Sequence, residues 1–266
     1  MSVAFVILVY RFSVDVSLLV DSLIAQFGDN VLSDVFIVEN FSSEVSSKKL
    51  YLYCEDTAIN FCGTFPNNGY GAGNNIGIKS ALKAGYDFVS VLNPDTIVHN
   101  FPRYGWGEYC GGIVGPKITR NKKSDQNPYW AYKNNFLEYI IYVGALRHSR
   151  TLLYIGVIGH KILKYVWQIL QLFCSRTQVF ALHGSAIIFS RQSIDILGDV
   201  FDEKLFLYTE EEDLAYSARS KLVPMRYWSE IIVEHKEDGS DEGVAPSILS
   251  PEVCKSIIYR YKKWHR

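Results

Sequence analysis

The sequence has almost no net charge, no cysteine pairs at metal-binding spacing and no long apolar run, and each absence removes a class of protein. Lysine and arginine number 27 against 28 aspartates and glutamates, a formal net charge of −1, so no global basic field argues for nucleic acid as a partner. The five cysteines (Cys54, Cys62, Cys110, Cys174, Cys254) are odd in number and widely spaced. That argues against a disulfide framework or a zinc ribbon and for free thiols in a reducing compartment. The opening "MSVAFVILVYRF" lacks a basic flank and a small-residue cleavage site, and reads as a strand and not a signal peptide. No uninterrupted apolar stretch reaches ~18 residues, so a spanning helix is not expected and a cytoplasmic location is. Internal repeats and low-complexity tracts are also missing.

What is present is an ordinary globular composition, 48% apolar and 21% charged over 266 residues, with 18 tyrosines, enough chain to bury a sizeable core. Val3 to Val9 is a short continuous apolar run, as in a strand covered on both faces. Ser13 is placed to cap a helix that Gly28 ends. "DVFIVEN" reads as a second strand followed by a turn at "FSSE", and Leu50 to Cys54 as a third strand. A glycine- and asparagine-rich loop then leads into a helix through Ile76, Ala81 and Leu82, and "DFVSVLN" is a fourth strand. This alternation predicts an α/β fold with a mostly parallel central sheet flanked by helices. The second half is less regular. "GGIVGPKI" and "QVFALHGSAIIFSR" have strand character, and about 127–177 is an aromatic, helix-prone insertion. The expected organisation is one domain over 1–240 in two halves, 1–100 and 101–240, with a basic helical tail over 241–266.

In such sheets ligands bind beyond the carboxyl ends of the strands, where Glu39, Asn40 and Asp95 fall. "GAGNNIG" has Gly-x-Gly-x-x-x-Gly spacing and follows the third expected strand, not the first. A nicotinamide-dependent oxidoreductase is therefore disfavoured. A sugar-nucleotide pyrophosphorylase is disfavoured as well, because "RFSVDVS" after the first strand is not a glycine-rich basic loop. In "LNPD", Pro94 stops a strand and leaves Asp95 at its end, where a carboxylate suits a divalent cation and phosphate oxygens. In "TEEEDLAYSAR", Glu210 and Asp213 share one face of a helix while Glu211 projects elsewhere. Such a run is either a dipole-favoured first turn or a tuned general base. His235 in "VEHKEDGS" is a ligand only if Asp95 belongs to a metal site. Between Glu138 and Asp195 there is no acid, but Arg147, Arg150, Lys161 and Lys164 are present. A basic helix with a broad apolar face there suits an anionic membrane, packing on its own sheet, or a second copy of the chain.

In order, "VAFVILVY", "IVENFSS", "NNGYGAGNNIGI", "VSVLNPDTIV", "GPKI", "HGSAIIFSR", "FDEKLFLYTEEEDLAYSAR" and "VEHKEDGS" resemble the inverting glycosyltransferases of family 2, which have the GT-A fold. Within that family they are most similar to bacterial rhamnosyltransferases that build surface polysaccharides of the O-antigen kind. The resemblance implies transfer of a sugar from a nucleoside diphosphate donor, thymidine- or uridine-linked, to a saccharide acceptor, which a lipid carrier would bear at the inner membrane face. It implies Mg²⁺ or Mn²⁺ on the diphosphate. By position, Glu39 would contact the nucleotide base, and Asn68, Gly73 and Asn75 would lie along the nucleotide. Asn93 and Asp95 would stand at the metal motif, Gly184 and Ser185 would line the sugar pocket, and His235 would join Asp95 near the metal. Glu211 would be the acceptor-activating base, with Glu210 and Asp213 as alternatives. This chain departs from the family pattern in having Glu39 for aspartate, Asn93 for the first acid of Asp-x-Asp, and Glu211 for aspartate. The lost acid keeps an inactive binding or assembly protein of the same fold as a second reading.

Overall fold

The computed structural model describes residues 2–120, 124–170, 176–236 and 248–265. Cys174, residues 237–240 of the histidine motif and 241–247 of the expected tail lie outside the described residues. Strand β1 (Val3–Val9) is buried on both faces: Ala4 and Val6 join one hydrophobic cluster, Phe5, Ile7 and Val9 the other. Alternation across a strand divides these side chains between two helical layers. Helix α1 (Val14–Phe27) begins where Ser13 Oγ accepts the Asp15 N–H and ends at Gly28, whose φ is 84°. Its Val16, Leu19 and Leu23 lie in the cluster of Phe5 and Ile7.

Strand β2 (Val35–Asn40) follows, then a helix, α2 (Glu44–Thr57), where the sequence suggested a turn and a strand. Ser43 caps this helix by accepting the Ser46 N–H, and Leu50 and Cys54, four residues apart, form its buried stripe. The tyrosines between them mimic a strand in composition, but helical spacing decides. The third strand is β3 (Asn60–Phe65), a half-exposed edge strand whose polarity hid it. Helix α3 (Tyr70–Lys83) then contains the glycines expected in a loop. Of these only Gly69, at its N-terminus, has positive φ, at 98°, and a Cβ there would overlap the Phe206 carbonyl. Inside the helix a Cβ on Gly73 would overlap Leu8 and one on Gly77 would overlap Val6. The glycines bring α3 close onto β1, which offsets their helix cost of about 1 kcal/mol each.

Strand β4 (Phe88–Leu92) completes a parallel set in the order β3-β2-β1-β4. Beyond it the sheet is mixed. Strands β5 (Thr96–Asn100), β6 (Ile113–Arg120) and β7 (Ser124–Asp125) are followed by α4 (Asn135–Leu146) and α5 (Arg150–Leu170). Then come β8 (Arg176–Gln178), β9 (Ala186–Ser190), α6 (Arg191–Leu197), α7 (Glu210–Ser220), β10 (Met225–His235) and α8 (Pro251–Trp264). The path continues β4-β9-β6-β10-β5, with β9 antiparallel to both neighbours and β6 parallel to β10. The mostly parallel expectation thus holds for the first half and gives way in the second. The register sets Leu92 opposite Ala186 and His235 opposite Thr96, so the ends of β4, β9 and β10 that carry candidate residues meet at one edge.

Helices α4 and α5 occupy the expected insertion. Helix α8, set apart by the sequence as a tail, lies against α4 and adds Cys254 and Ile257 to the core. Two tryptophans of these helices, Trp167 of α5 and Trp264 of α8, face inward. Trp167 is buried and meets Tyr227 edge-on, while Trp264 stacks on Tyr216 and donates its Nε1–H to Asp213 Oδ1 (2.6 Å).

Candidate active site

Strand ends bring three segments together. After β4 the chain turns at Asn93-Pro94-Asp95: the Asn93 N–H donates to the Ser185 carbonyl (2.9 Å), and Thr96 closes the turn onto the Asn93 carbonyl. Asp95 is buried, with Oδ2 3.3 Å from His235 Nε2, and its carbonyl accepts the Lys236 N–H. His235 Nδ1 lies 2.9 Å from Gln126 Oε1. The pairing predicted between Asp95 and His235 is therefore a direct contact across β10 and β5.

Ser185 and Gly184, just ahead of β9, adjoin this pair. Ser185 is buried; its N–H donates to His183 Nδ1 (3.2 Å), and its Oγ lies 3.0 Å from the same nitrogen. The Gly184 N–H donates to Glu211 Oε1 (3.2 Å), and its carbonyl accepts the Tyr70 hydroxyl (2.7 Å). A Cβ at Gly184 would come within 2.8 Å of Glu211 Oε1, so glycine is what allows the carboxylate this close. Glu211 is thereby tied to the segment that touches Asn93.

The four acids open α7, immediately after Tyr208 and Thr209, both at positive φ (72° and 70°). Non-glycine residues in that region store strain, which the surrounding packing must hold. Each acid has its own surroundings. Burial, with Glu211 beside it, raises the Glu210 carboxyl well above the usual glutamate range. Glu211 is raised by burial and held back by backbone N–H groups, and Glu212 is raised by burial and held back by Arg260. Asp213 belongs elsewhere: both its oxygens accept from Lys263 Nζ (2.9 Å each), and Oδ1 also accepts from Trp264. It clips α8 to α7 and is not placed as a base. Beneath the cluster, Arg260 Nη1 meets Glu138 Oε2 at 2.9 Å with both side chains fully buried.

Other expected residues are engaged away from this corner. Glu39 is fully buried, its two oxygens accepting from Ser47 (2.7 Å) and Thr64 (2.6 Å). Asn75 is buried and spans to the loop before α7: its Nδ2 donates to the Phe201 carbonyl and Glu203, and its Oδ1 accepts the Phe201 N–H. Gly73 packs on Leu8, and Asn68 is exposed between β3 and α3. The neighbouring Asn40 holds that turn, donating to Asn67 Oδ1 and the Gly69 carbonyl. The N-terminus of α3, whose dipole favours an anion, opens beside this turn.

Three residues went unnoticed in the sequence. His183 lies with its ring 5.7 Å from that of His235, and burial with the nearby His235 lowers it to about 3. Asn127 accepts the His183 N–H and donates to the Pro116 carbonyl. Tyr70 fastens α3 to Gly184. His183 carried a usable signal, a polar residue between the apolar runs "VFAL" and "AIIF". The other two have meaning only once distant strands meet.

Asp95 and His235 supply one carboxylate oxygen and one imidazole nitrogen. That donor set fits a divalent cation whose remaining ligands are diphosphate oxygens and water. Among the described residues no group of three or more His, Cys, Asp or Glu is arranged to hold a metal by itself. A separate cleft of about 630 Å³, lined by Lys133, Phe180, Arg219 and Met225, lies at the opposite end of β10 and contains none of these residues.

No protein-family model matches the sequence, and no curated protein matches it. Solved structures do match. A crystal structure of GalNAc-T7 with UDP, GalNAc and Mn²⁺ superimposes with a TM-score of 0.64 at 13% identity, covering 98% of this chain and 48% of that one. Structures of S. aureus TarS 1–349 with UDP and with UDP-GlcNAc each give 0.57 at 13% identity, covering 100% of this chain and 67% and 68% of theirs. The chain thus spans about half the length of the GalNAc-T7 chain. At this identity the likeness establishes the fold, that of GT-A glycosyltransferases.

Proposed function

We propose that the chain is an inverting glycosyltransferase moving a sugar from a nucleoside diphosphate donor to a saccharide acceptor. Rhamnose on thymidine diphosphate is the leading donor, from the "LNPD" resemblance. A uridine-linked donor is the alternative, supported by the UDP and UDP-GlcNAc held by the structural neighbours. The acceptor is a growing surface saccharide on a lipid carrier, met on the cytoplasmic side of the inner membrane.

The observation that carries this reading is the chain of contacts from Asp95 and His235 through Asn93, Ser185 and Gly184 to Glu211. Asp95 and His235 would hold Mg²⁺ or Mn²⁺, which neutralises charge on the departing diphosphate. Glu211 takes a proton from the acceptor hydroxyl, and its raised carboxyl makes it a better base than a solvated glutamate. The acceptor oxygen then bonds to the anomeric carbon as the carbon–oxygen bond to diphosphate breaks, the electron pair leaving with the phosphate. Tyr70, by fixing Gly184, keeps the Glu211 carboxylate aimed. Orientation and stabilisation of the leaving group supply most of the rate.

Product stereochemistry tests the mechanism. NMR of the product of a purified transfer reaction is expected to show the anomeric configuration opposite to that of the donor. A retained configuration would remove Glu211 as acceptor base. The absence of transfer from any donor, with binding intact, would favour the assembly-protein reading.

A further inference from the structure

Helix α5 is apolar on two opposite faces. Leu153, Gly156, His160 and Trp167 are buried against the body of the protein, with His160 stacked on Trp130 at 3.8 Å. The other face carries Tyr154, Ile155, Ile158, Ile162, Tyr165 and Ile169, each between 48% and 64% exposed. At ~100° per residue these six side chains fall within an arc of about 100° on a helix roughly 30 Å long. Core packing explains the first face and leaves the second without a reason.

Charge identifies what it meets. Exposed Arg150 and Lys161 lie along one margin of the arc, and Arg147 is exposed at the end of α4. Helix α5 has no acid, and the single acid of α4, Glu138, is buried against Arg260. A second copy docked here would bring cations together on a face with no acid to pair them. Among the described residues no helix is long and apolar enough to cross a membrane. A long amphipathic helix with an outward aliphatic stripe, tyrosines and marginal cations is the form that lies in a bilayer interface.

We propose that the outer face of α5 rests on an anionic lipid bilayer, its isoleucines at the acyl boundary and Arg150 and Lys161 at the headgroup phosphates. The same helix braces the site. On its inner side Lys164 Nζ donates to the Asp125 and Gln126 carbonyls (2.7 Å each), and Gln126 Oε1 contacts His235. A helix seated on lipid would thus hold the strand end bearing His235 at a fixed place relative to the bilayer. The surface deepens the transferase reading and rests on it for its purpose, the capture of a lipid-borne acceptor, but the binding itself needs no donor.

The test is flotation of the purified protein with vesicles of phosphatidylglycerol and phosphatidylethanolamine, and separately of phosphatidylcholine, at low and high salt. Wild type is expected to float with the anionic vesicles and to be weakened by salt. I158E/I162E, two changes at exposed positions whose fold circular dichroism checks, is expected to lose at least about tenfold in partition. Lys161→Glu is expected to lose at least about fivefold, on the scale of one cation near an anionic surface. Failure of wild type to float with either vesicle, or equal flotation of I158E/I162E, overturns the proposal. So does a solution dimer in sedimentation equilibrium that I158E/I162E dissociates, which would give this face to a second copy. Calorimetry with UDP and TDP on the same proteins separates the two claims. Flotation without nucleotide binding sinks the transferase reading and leaves the surface standing, and nucleotide binding without flotation does the reverse.

Discussion

The carboxyl end of the sheet and the first turn of α7 both concentrate acids, and they manage them differently. At the sheet edge Asp95 faces His235 across paired strands, and Glu39 accepts from two hydroxyl donors. In α7 four consecutive acids cannot face the same partner, so helical geometry distributes them. Glu211 turns to Gly184, Glu212 toward Arg260, Asp213 to Lys263 and Trp264, and Glu210 is pushed toward its neutral form. Strand register brings residues from far apart in the chain to one point, whereas a helix separates neighbours onto different faces. A sequence run of acids is thus one chemical group only in print.

The largest expected effect tests the support beneath the acid run. Arg260→Met leaves Glu138 buried without its cation, and removal of one partner of a buried pair costs about 3–5 kcal/mol. Chemical denaturation should show this as a lowered midpoint; an unchanged midpoint would mean that the Tyr216 hydroxyl and His265, which also face the Glu138 carboxylate, suffice without Arg260. Next come Asp95→Ala and Glu211→Gln, each expected to lower turnover at least ~100-fold with the fold intact. Equal losses by Glu210→Gln and Glu211→Gln would erase the distinction drawn between those neighbours.

Asp213→Asn sharpens the same contrast from the other side. It weakens charge-assisted bonds to Lys263 and Trp264 and should cost about 1.5–3 kcal/mol of stability while leaving turnover within a few-fold. A catalytic collapse in a stably folded Asp213→Asn protein would return that residue to the site.

The remaining effect is one of pH. Burial raises the Glu210 carboxyl above its ordinary value of 4.5, so the folded state retains a proton that the unfolded chain releases. Stability from this group is full below pH 4.5 and declines as pH rises toward its folded value. Glu210→Gln removes that decline. Its melting temperature relative to wild type should therefore be higher at pH 8 than at pH 5, and a difference independent of pH would contradict the burial account.

The first half was readable because β1, β2 and β4 are buried on both faces and its first helix carries explicit caps, at Ser13 and Gly28. It misled where local composition and tertiary packing diverged. Tyr51 and Tyr53 look like strand residues yet lie in a helix, and the glycines of α3 look like a loop but thin a helix against Leu8 and Val6. At the site, Asp95, His235, Gly184, Ser185 and Glu211 were visible as residues at the ends of elements. Their contacts were not, because β9 enters antiparallel beside β4 and no local pattern announces that pairing. Asn75 and Glu39 were visible in the same way and their protein partners were not, since a polar residue near a strand or helix end serves packing and ligand alike until its contacts are known.

The central claim, that the Asp95–His235 corner receives a metal-bound nucleoside diphosphate, is tested most directly by calorimetric titration. The purified protein and its Asp95→Ala variant would be titrated with UDP and TDP, with and without Mn²⁺. The account predicts binding of one nucleotide that requires Mn²⁺ and that Asp95→Ala abolishes. Binding of neither nucleotide under any metal condition, or binding that Asp95→Ala leaves unchanged, would contradict it.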